Sequence, residues 1–162
     1  MATVDNLLFA LTLFAALGCG LMAGVFFAFS AFVMKALGRL PTAQGIAAMQ
    51  SINVAVINPW FMAVFLGTAA ACMLLVVFGL VGWDRPGTVY RLVGSLLYLG
   101  GTFLVTIVFN VPRNDTLAAV EPASAESATL WARYLASWTA WNHVRTVAAL
   151  AAAASLTIAL GY

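Results

Sequence analysis

Charge is scarce in this chain. Of 162 residues, seven are Lys or Arg and five are Asp or Glu, 7% in all, against 64% hydrophobic residues and a mean hydropathy of +1.04. So few charges cannot clothe a soluble fold, and the composition implies an integral membrane protein. The net charge of +2 comes with no Lys/Arg-rich cluster, which removes the basis for nucleic-acid binding and for polybasic capture of lipid headgroups. Cysteine is rare as well. Cys19 and Cys72 lie in mid-run and form no CxxC, so a disulfide framework and a thiol oxidase lack support, and both read as small apolar packers. A single histidine, His143, supplies neither a bis-His haem site nor a multi-His metal centre, and no acidic residue falls inside an apolar run; the expectation is no metal and no cofactor. The amino terminus has Asp5 but no Lys or Arg before its first apolar run, unlike a cleaved signal peptide, and a retained first helix is expected.

Four apolar runs are present, at residues 7–34, 60–82, 89–109 and 138–160. Each reaches the roughly 20 helical residues needed to cross a bilayer, and none alternates with period two as a membrane strand would. The sequence therefore predicts an all-α, multi-pass four-helix bundle, a single domain over residues 1–162, in a bacterial inner or plasma membrane. Short amphipathic helices are expected in the first and third connections, the first after Pro41 and the third over residues 123–138. The second connection, WDRPGTVYR, reads as a tight turn. Each half repeats one plan, a span, a connection of about 25 residues and a span with an Asn near its start (Asn58, Asn142), as in weak internal pseudo-symmetry. Both long connections then share one face, with Lys35, Arg39, Arg113 and Arg133 against Arg85 and Arg91 on the other, and the positive-inside rule turns that face to the cytoplasm. Ala16, Gly20, Gly24 and Ala28 recur every four residues and read as a helix-packing seam, which leaves association between copies of the chain open.

Three polar clusters sit where a membrane should exclude them. In SWTAWNHVRT, residues 137–146, Trp138, Trp141, Asn142 and Arg145 fall within about 100° of one another on a helix, and Trp131 and Tyr134 extend the stripe if the helix is continuous. Trp131 and Trp138 also suit an interfacial aromatic belt. Arg145 suits it less, because seven residues of helix place its Cα about 10 Å deeper than that of Trp138. His143 is about 100° from Asn142 and reads either as a flank residue or as a proton acceptor. FNVPRNDTL holds Asn110, Arg113 and Asn114, either as a helix stop with a turn at Asn114–Asp115 or as part of a site. Gln50, Asn53 and Asn58 precede the second span, where Asn58-Pro59 is equally a helix start. All three clusters reach the same membrane face. Converged, they would form a mouth of amides, guanidinium groups and indoles suited to a flat aromatic ligand with phenol or carbonyl oxygens.

Four spans, FNVPRN after the third and WTAWNHVR opening the fourth resemble the anthrone-oxygenase-like family of small membrane proteins. The resemblance extends to MQSIN and INP before the second span, and its most specific parts are N-x-P-x-N (Asn110, Pro112, Asn114) and W-N-x-x-R (Trp141, Asn142, Arg145). It implies cofactor-independent oxidation of polyketide anthrones to anthraquinones by O2, although many relatives have no assigned activity. Under it Asn142, Arg145, Asn114 and His143 are the catalytic candidates, with Trp138, Trp141, Asn110, Asn58, Gln50, Asn53 and Arg113 binding the substrate. The partners are then a hydrophobic aromatic molecule, O2 and lipid. Two other classes compete: a non-catalytic membrane scaffold whose amides join helices, and a small exporter, which would ordinarily need an intramembrane carboxylate.

Overall fold

The computed structural model describes residues 2–162, which form five helices and no strand. These are α1 (residues 2–37), α2 (Thr42–Ala55), α3 (Pro59–Val81), α4 (Thr88–Ala118) and α5 (Ser127–Ala159). Helix breakers mark the boundaries. Asn58 caps α3 by accepting from the N–H groups of Trp60 and Phe61 at 3.1 and 3.0 Å, and Pro59 follows at a position that needs no N–H donor. Gly87 adopts φ +75°, a left-handed turn that permits the tight reversal between α3 and α4. Thr88 Oγ1 donates to the Gly82 carbonyl at 3.2 Å and Arg91 Nη2 to that of Pro86 at 2.5 Å, closing the turn.

Two apolar cores run along the axis. Helix α1 packs against α3 and α5, and α4 packs against the same two. Met22, Phe65, Leu75, Tyr98 and Leu156 fill one core, in which both cysteines are fully buried. The other is roofed by α2, whose Ile46 and Met49 meet Leu117, Trp131, Tyr134 and Trp138. Arg85 pairs with Asp5 at 2.6 Å and Tyr90 stacks on Tyr162, so the start of α1, the α3–α4 turn and the carboxyl terminus share one end. At the other end Gln50 Nε2 donates to the carbonyls of Leu117 and Val120 at 2.9 and 3.0 Å, tying α2 to the last turn of α4. The two long connections therefore lie together. Three helices are long and apolar enough to cross a membrane: residues 4–37, α3 and α4. Helix α5 is 33 residues long, but Asn142, His143 and Arg145 interrupt its apolarity.

Three sequence expectations are revised. The amphipathic segment before residue 138 is the first third of α5, with no break from the apolar part, because nothing between Ser127 and Ala159 disrupts the backbone. The helix through FNVPRN does not stop at Pro112. Helix α4 is π-helical over Leu97–Leu104 and Thr106–Asn110 and returns to α-helix at Val111. That change of register puts Pro112 in the first turn of a fresh α-segment, where its missing N–H costs nothing, so Asn114 and Asp115 are helical. The third revision concerns Gly20 and Gly24, where an added Cβ would meet nothing within 4 Å. The inward seam of α1 is instead Thr12, Ala15, Cys19, Met22 and Phe26.

Candidate functional site

Trp131, Tyr134, Trp138, Asn142 and Arg145 recur at spacings of three and four along α5, and all five are buried. Asn142 is fully inaccessible and Arg145 is 5% exposed. The Asn142 amide joins helices: Nδ2 donates to the Phe26 carbonyl and to Ser30 Oγ on α1, both at 2.7 Å, and Oδ1 accepts from Arg145 Nη2 at 2.7 Å. Ser30 Oγ also lies 3.1 Å from Thr146 Oγ1, which donates to the Asn142 carbonyl. Arg145 Nη1 then reaches across to Thr106 Oγ1 on α4 at 3.3 Å. Its guanidinium lies over two aromatic rings, 4.3 Å from the Phe26 centroid and 5.0 Å from that of Trp138.

Trp138 is held by Asn114. Its Nε1 donates to Asn114 Oδ1 at 2.8 Å, and the Tyr134 hydroxyl donates to the same oxygen at 2.9 Å. Asn110 Nδ2 donates to the Trp138 carbonyl at 3.3 Å. Four buried polar atoms in this region have no protein partner among the described residues: Arg145 Nε, Asn110 Oδ1, Trp131 Nε1 and Asn53 Nδ2.

The electrostatics of Arg145 are unusual. A guanidinium stays protonated in proteins, and a buried cation without a counter-ion costs several kcal/mol. All five acidic residues are exposed, and the ion pair found among the described residues is Arg85–Asp5. Cation–π contact with two rings returns about 2 kcal/mol or more apiece when desolvated. The charge of Arg145 is therefore met by an amide, a hydroxyl and two rings, and no carboxylate among the described residues neutralises it.

Several expected site residues lie elsewhere. His143 is exposed on the outer side of α5, a position that follows from its angular distance from Asn142. Trp141 is half-buried and stacks on Phe109 with centroids 3.6 Å apart, on the α4–α5 seam rather than beside Arg145. Asn58 is a helix cap and Gln50 a clamp on the end of α4. Asn53 sits beside the Tyr134 phenol, its Nδ2 without a hydrogen bond of good geometry. Arg113 donates from Nε to Ser137 Oγ at 3.1 Å and from Nη1 to the Phe109 carbonyl at 2.5 Å. Conversely, Phe26, Ser30, Thr102 and Thr106 belong to the cluster and were not anticipated. Thr102, whose hydroxyl donates to the Arg145 carbonyl at 3.3 Å, recurs with Thr106 and Asn110 at intervals of four. That spacing was the available signal.

Fold and site together define an all-α protein with a buried aromatic, amide and guanidinium centre. The family profile described as anthrone oxygenase matches residues 60–155, and the chain belongs to that family. The match covers α3, α4 and most of α5, hence every cluster residue except those from α1. Neither a curated protein nor a solved structure matches the chain.

Proposed function

We propose that the chain is a multi-pass membrane protein in which α1, α3, α4 and α5 span as a four-helix bundle, and that it oxidises a hydroxyanthrone or similar electron-rich phenolic ketone to a quinone with O2, without a cofactor. The observation that carries this reading is Arg145: a protonated, buried guanidinium flanked by aromatic rings, with a free Nε and no carboxylate beside it. Its complement is a flat ring system carrying an oxyanion. Large apolar side chains on the outside, among them Phe9, Phe14, Leu17, Phe27, Trp60, Leu80 and Val147, suit the lipid that the spans require.

The chemistry needs little from the protein. When the carbonyl of an anthrone is polarised, its opposite methylene loses a proton and the ring system becomes an aromatic phenolate. Arg145 stabilises that oxyanion, while Trp138 and Phe26 pack on its guanidinium. Asn142 and Thr106 hold the guanidinium plane, and Asn114 holds Trp138. One electron passes from the phenolate to O2, the radicals combine at the former methylene carbon, and the resulting hydroperoxide loses water to leave the second carbonyl. Anthrone and O2 thus become anthraquinone and H2O. With His143 on the outer face, water accepts the methylene proton.

A scaffold is the second reading, favoured by the two hydrogen bonds that Asn142 Nδ2 donates across to α1. Rates separate the two. Anthrones autoxidise, so membranes carrying wild-type protein are compared with membranes carrying Asn142→Ala or Arg145→Leu at equal abundance. Loss of a transition-state hydrogen bond lowers turnover by about 10²–10³-fold. Equal rates across several hydroxyanthrones would put the scaffold reading first.

A further inference from the structure

Beyond the Arg145 centre, the α4–α5 seam holds an open groove of about 590 Å³, lined by Arg113, Thr116, Thr129, Arg133, Tyr134 and Ser137. Glu126 also lies on its wall but makes no ion pair within 4 Å among the described residues. Two guanidinium groups against one carboxylate leave the groove positive.

The two arginines differ in a useful way. Arg113 is pinned through Nε to Ser137 Oγ and through Nη1 to the Phe109 carbonyl, and its Nη2 has no protein partner among the described residues. A guanidinium held by two of its nitrogens is pre-ordered, so little freedom is lost when the third meets a ligand. The Arg133 side chain is exposed and makes neither a hydrogen bond nor an ion pair among the described residues. One fixed donor and one free donor on a single groove suit an anionic group with two oxygens.

The groove also communicates with the interior. Tyr134 lines it, stacks on Trp138 with centroids 6.2 Å apart and shares Asn114 Oδ1 as acceptor with the Trp138 indole. Trp138 in turn covers the Arg145 guanidinium. A molecule in the groove therefore rests against the residue that is coupled to the ring over Arg145. The volume lies within the range of sites that take drug-sized ligands.

From this geometry we infer that the groove is a binding site for an aromatic carboxylate, and that the substrate is an aromatic acid whose carboxylate is captured by Arg113 and Arg133 before or while its rings approach Tyr134. Calling that ligand a substrate rests on the oxygenase reading; the binding site does not.

The test uses full-length protein in neutral detergent and two already oxidised probes, anthraquinone-2-carboxylate and anthraquinone-2-carboxamide, followed by quenching of Trp and Tyr fluorescence. Neither probe is turned over, so the result is independent of the oxygenation assay. Wild-type protein binds the carboxylate at least about fivefold more tightly than the carboxamide, as charge-assisted hydrogen bonds require. Arg133→Gln, at an exposed position that folding tolerates, reduces that preference, and Arg113→Gln/Arg133→Gln removes it while carboxamide affinity is retained. Equal affinities in the wild type, or a preference that survives the double substitution and disappears only in Arg145→Leu, would overturn the assignment. Native mass spectra give the remaining arm. Retention of phosphatidylglycerol over phosphatidylcholine, lost in the double variant, would reassign the groove to a lipid headgroup.

Discussion

Arg145 is held at two points by one rigid plane, Nη2 on Asn142 and Nη1 on Thr106, and lies over the Phe26 and Trp138 rings. A lysine supplies the charge as a single point and cannot span both partners or lie flat over the rings. Arg145→Lys is therefore expected to insert normally and to lose most of its hydroxyanthrone binding, read as quenching of Trp fluorescence. A fully functional lysine variant would mean that only a point charge is needed. Asn114 allows a different experiment, because its Oδ1 is the acceptor for both Trp138 and Tyr134. Asn114→Leu leaves two buried donors without an acceptor and should destabilise the protein by about 1–3 kcal/mol per stranded group, seen as a lower unfolding temperature in detergent. An unchanged transition would show that both donors find other acceptors.

Helix α4 depends on close backbone approach at one of two adjacent glycines. A Cβ at Gly101 would lie 2.4 Å from the Ala148 Cβ on α5, whereas one at Gly100 would meet nothing within 4 Å. Overpacking of this kind typically costs 1–3 kcal/mol. Gly101→Ala is thus expected to lower thermal stability clearly while Gly100→Ala leaves it nearly unchanged. Similar effects from the two substitutions would contradict the α4–α5 packing that brings Thr102 and Thr106 to Arg145. The π-helical turns serve the same contact, since they set the register in which Thr102, Thr106 and Asn110 all face α5.

For the whole molecule the decisive quantity is the number of crossings. Four spans put Gly87 and Ser124 on opposite sides of the membrane, and the positive-inside rule places Ser124 in the cytoplasm. Reporter fusions at the two positions should give opposite signals, alkaline phosphatase active at Gly87 and a cytoplasmic fluorescent reporter active at Ser124. Matching signals would remove the four-span arrangement. Reversed signals would keep it and turn the groove with Arg113 and Arg133 outward.

The all-α fold and the family were legible in the sequence, for definite reasons. Long apolar runs without period-two alternation leave helices as the available structure, and N-x-P-x-N with W-N-x-x-R is specific enough to carry the resemblance. The buried face of α5 was legible too, because periodicity alone groups Trp138, Asn142 and Arg145. Trp141 shows where periodicity ends: it lies at the edge of that arc, about 60° from Trp138, and only the neighbouring Phe109 decides that it serves the seam. Gln50 and Asn58 show the same limit, since an amide that caps a helix and an amide that binds a ligand look alike in one dimension. Residues 102–110 are the clearest case. Their hydroxyls sit in an apolar run that reads as plain membrane helix, and it took the π-helical register and the packing of α1, α4 and α5 to place Thr106 on the guanidinium and Ser30 on Asn142. The chain's local chemistry determined helices, apolarity and one polar stripe; which partners meet that stripe is a matter of three segments distant in sequence, and so belonged to the tertiary structure alone.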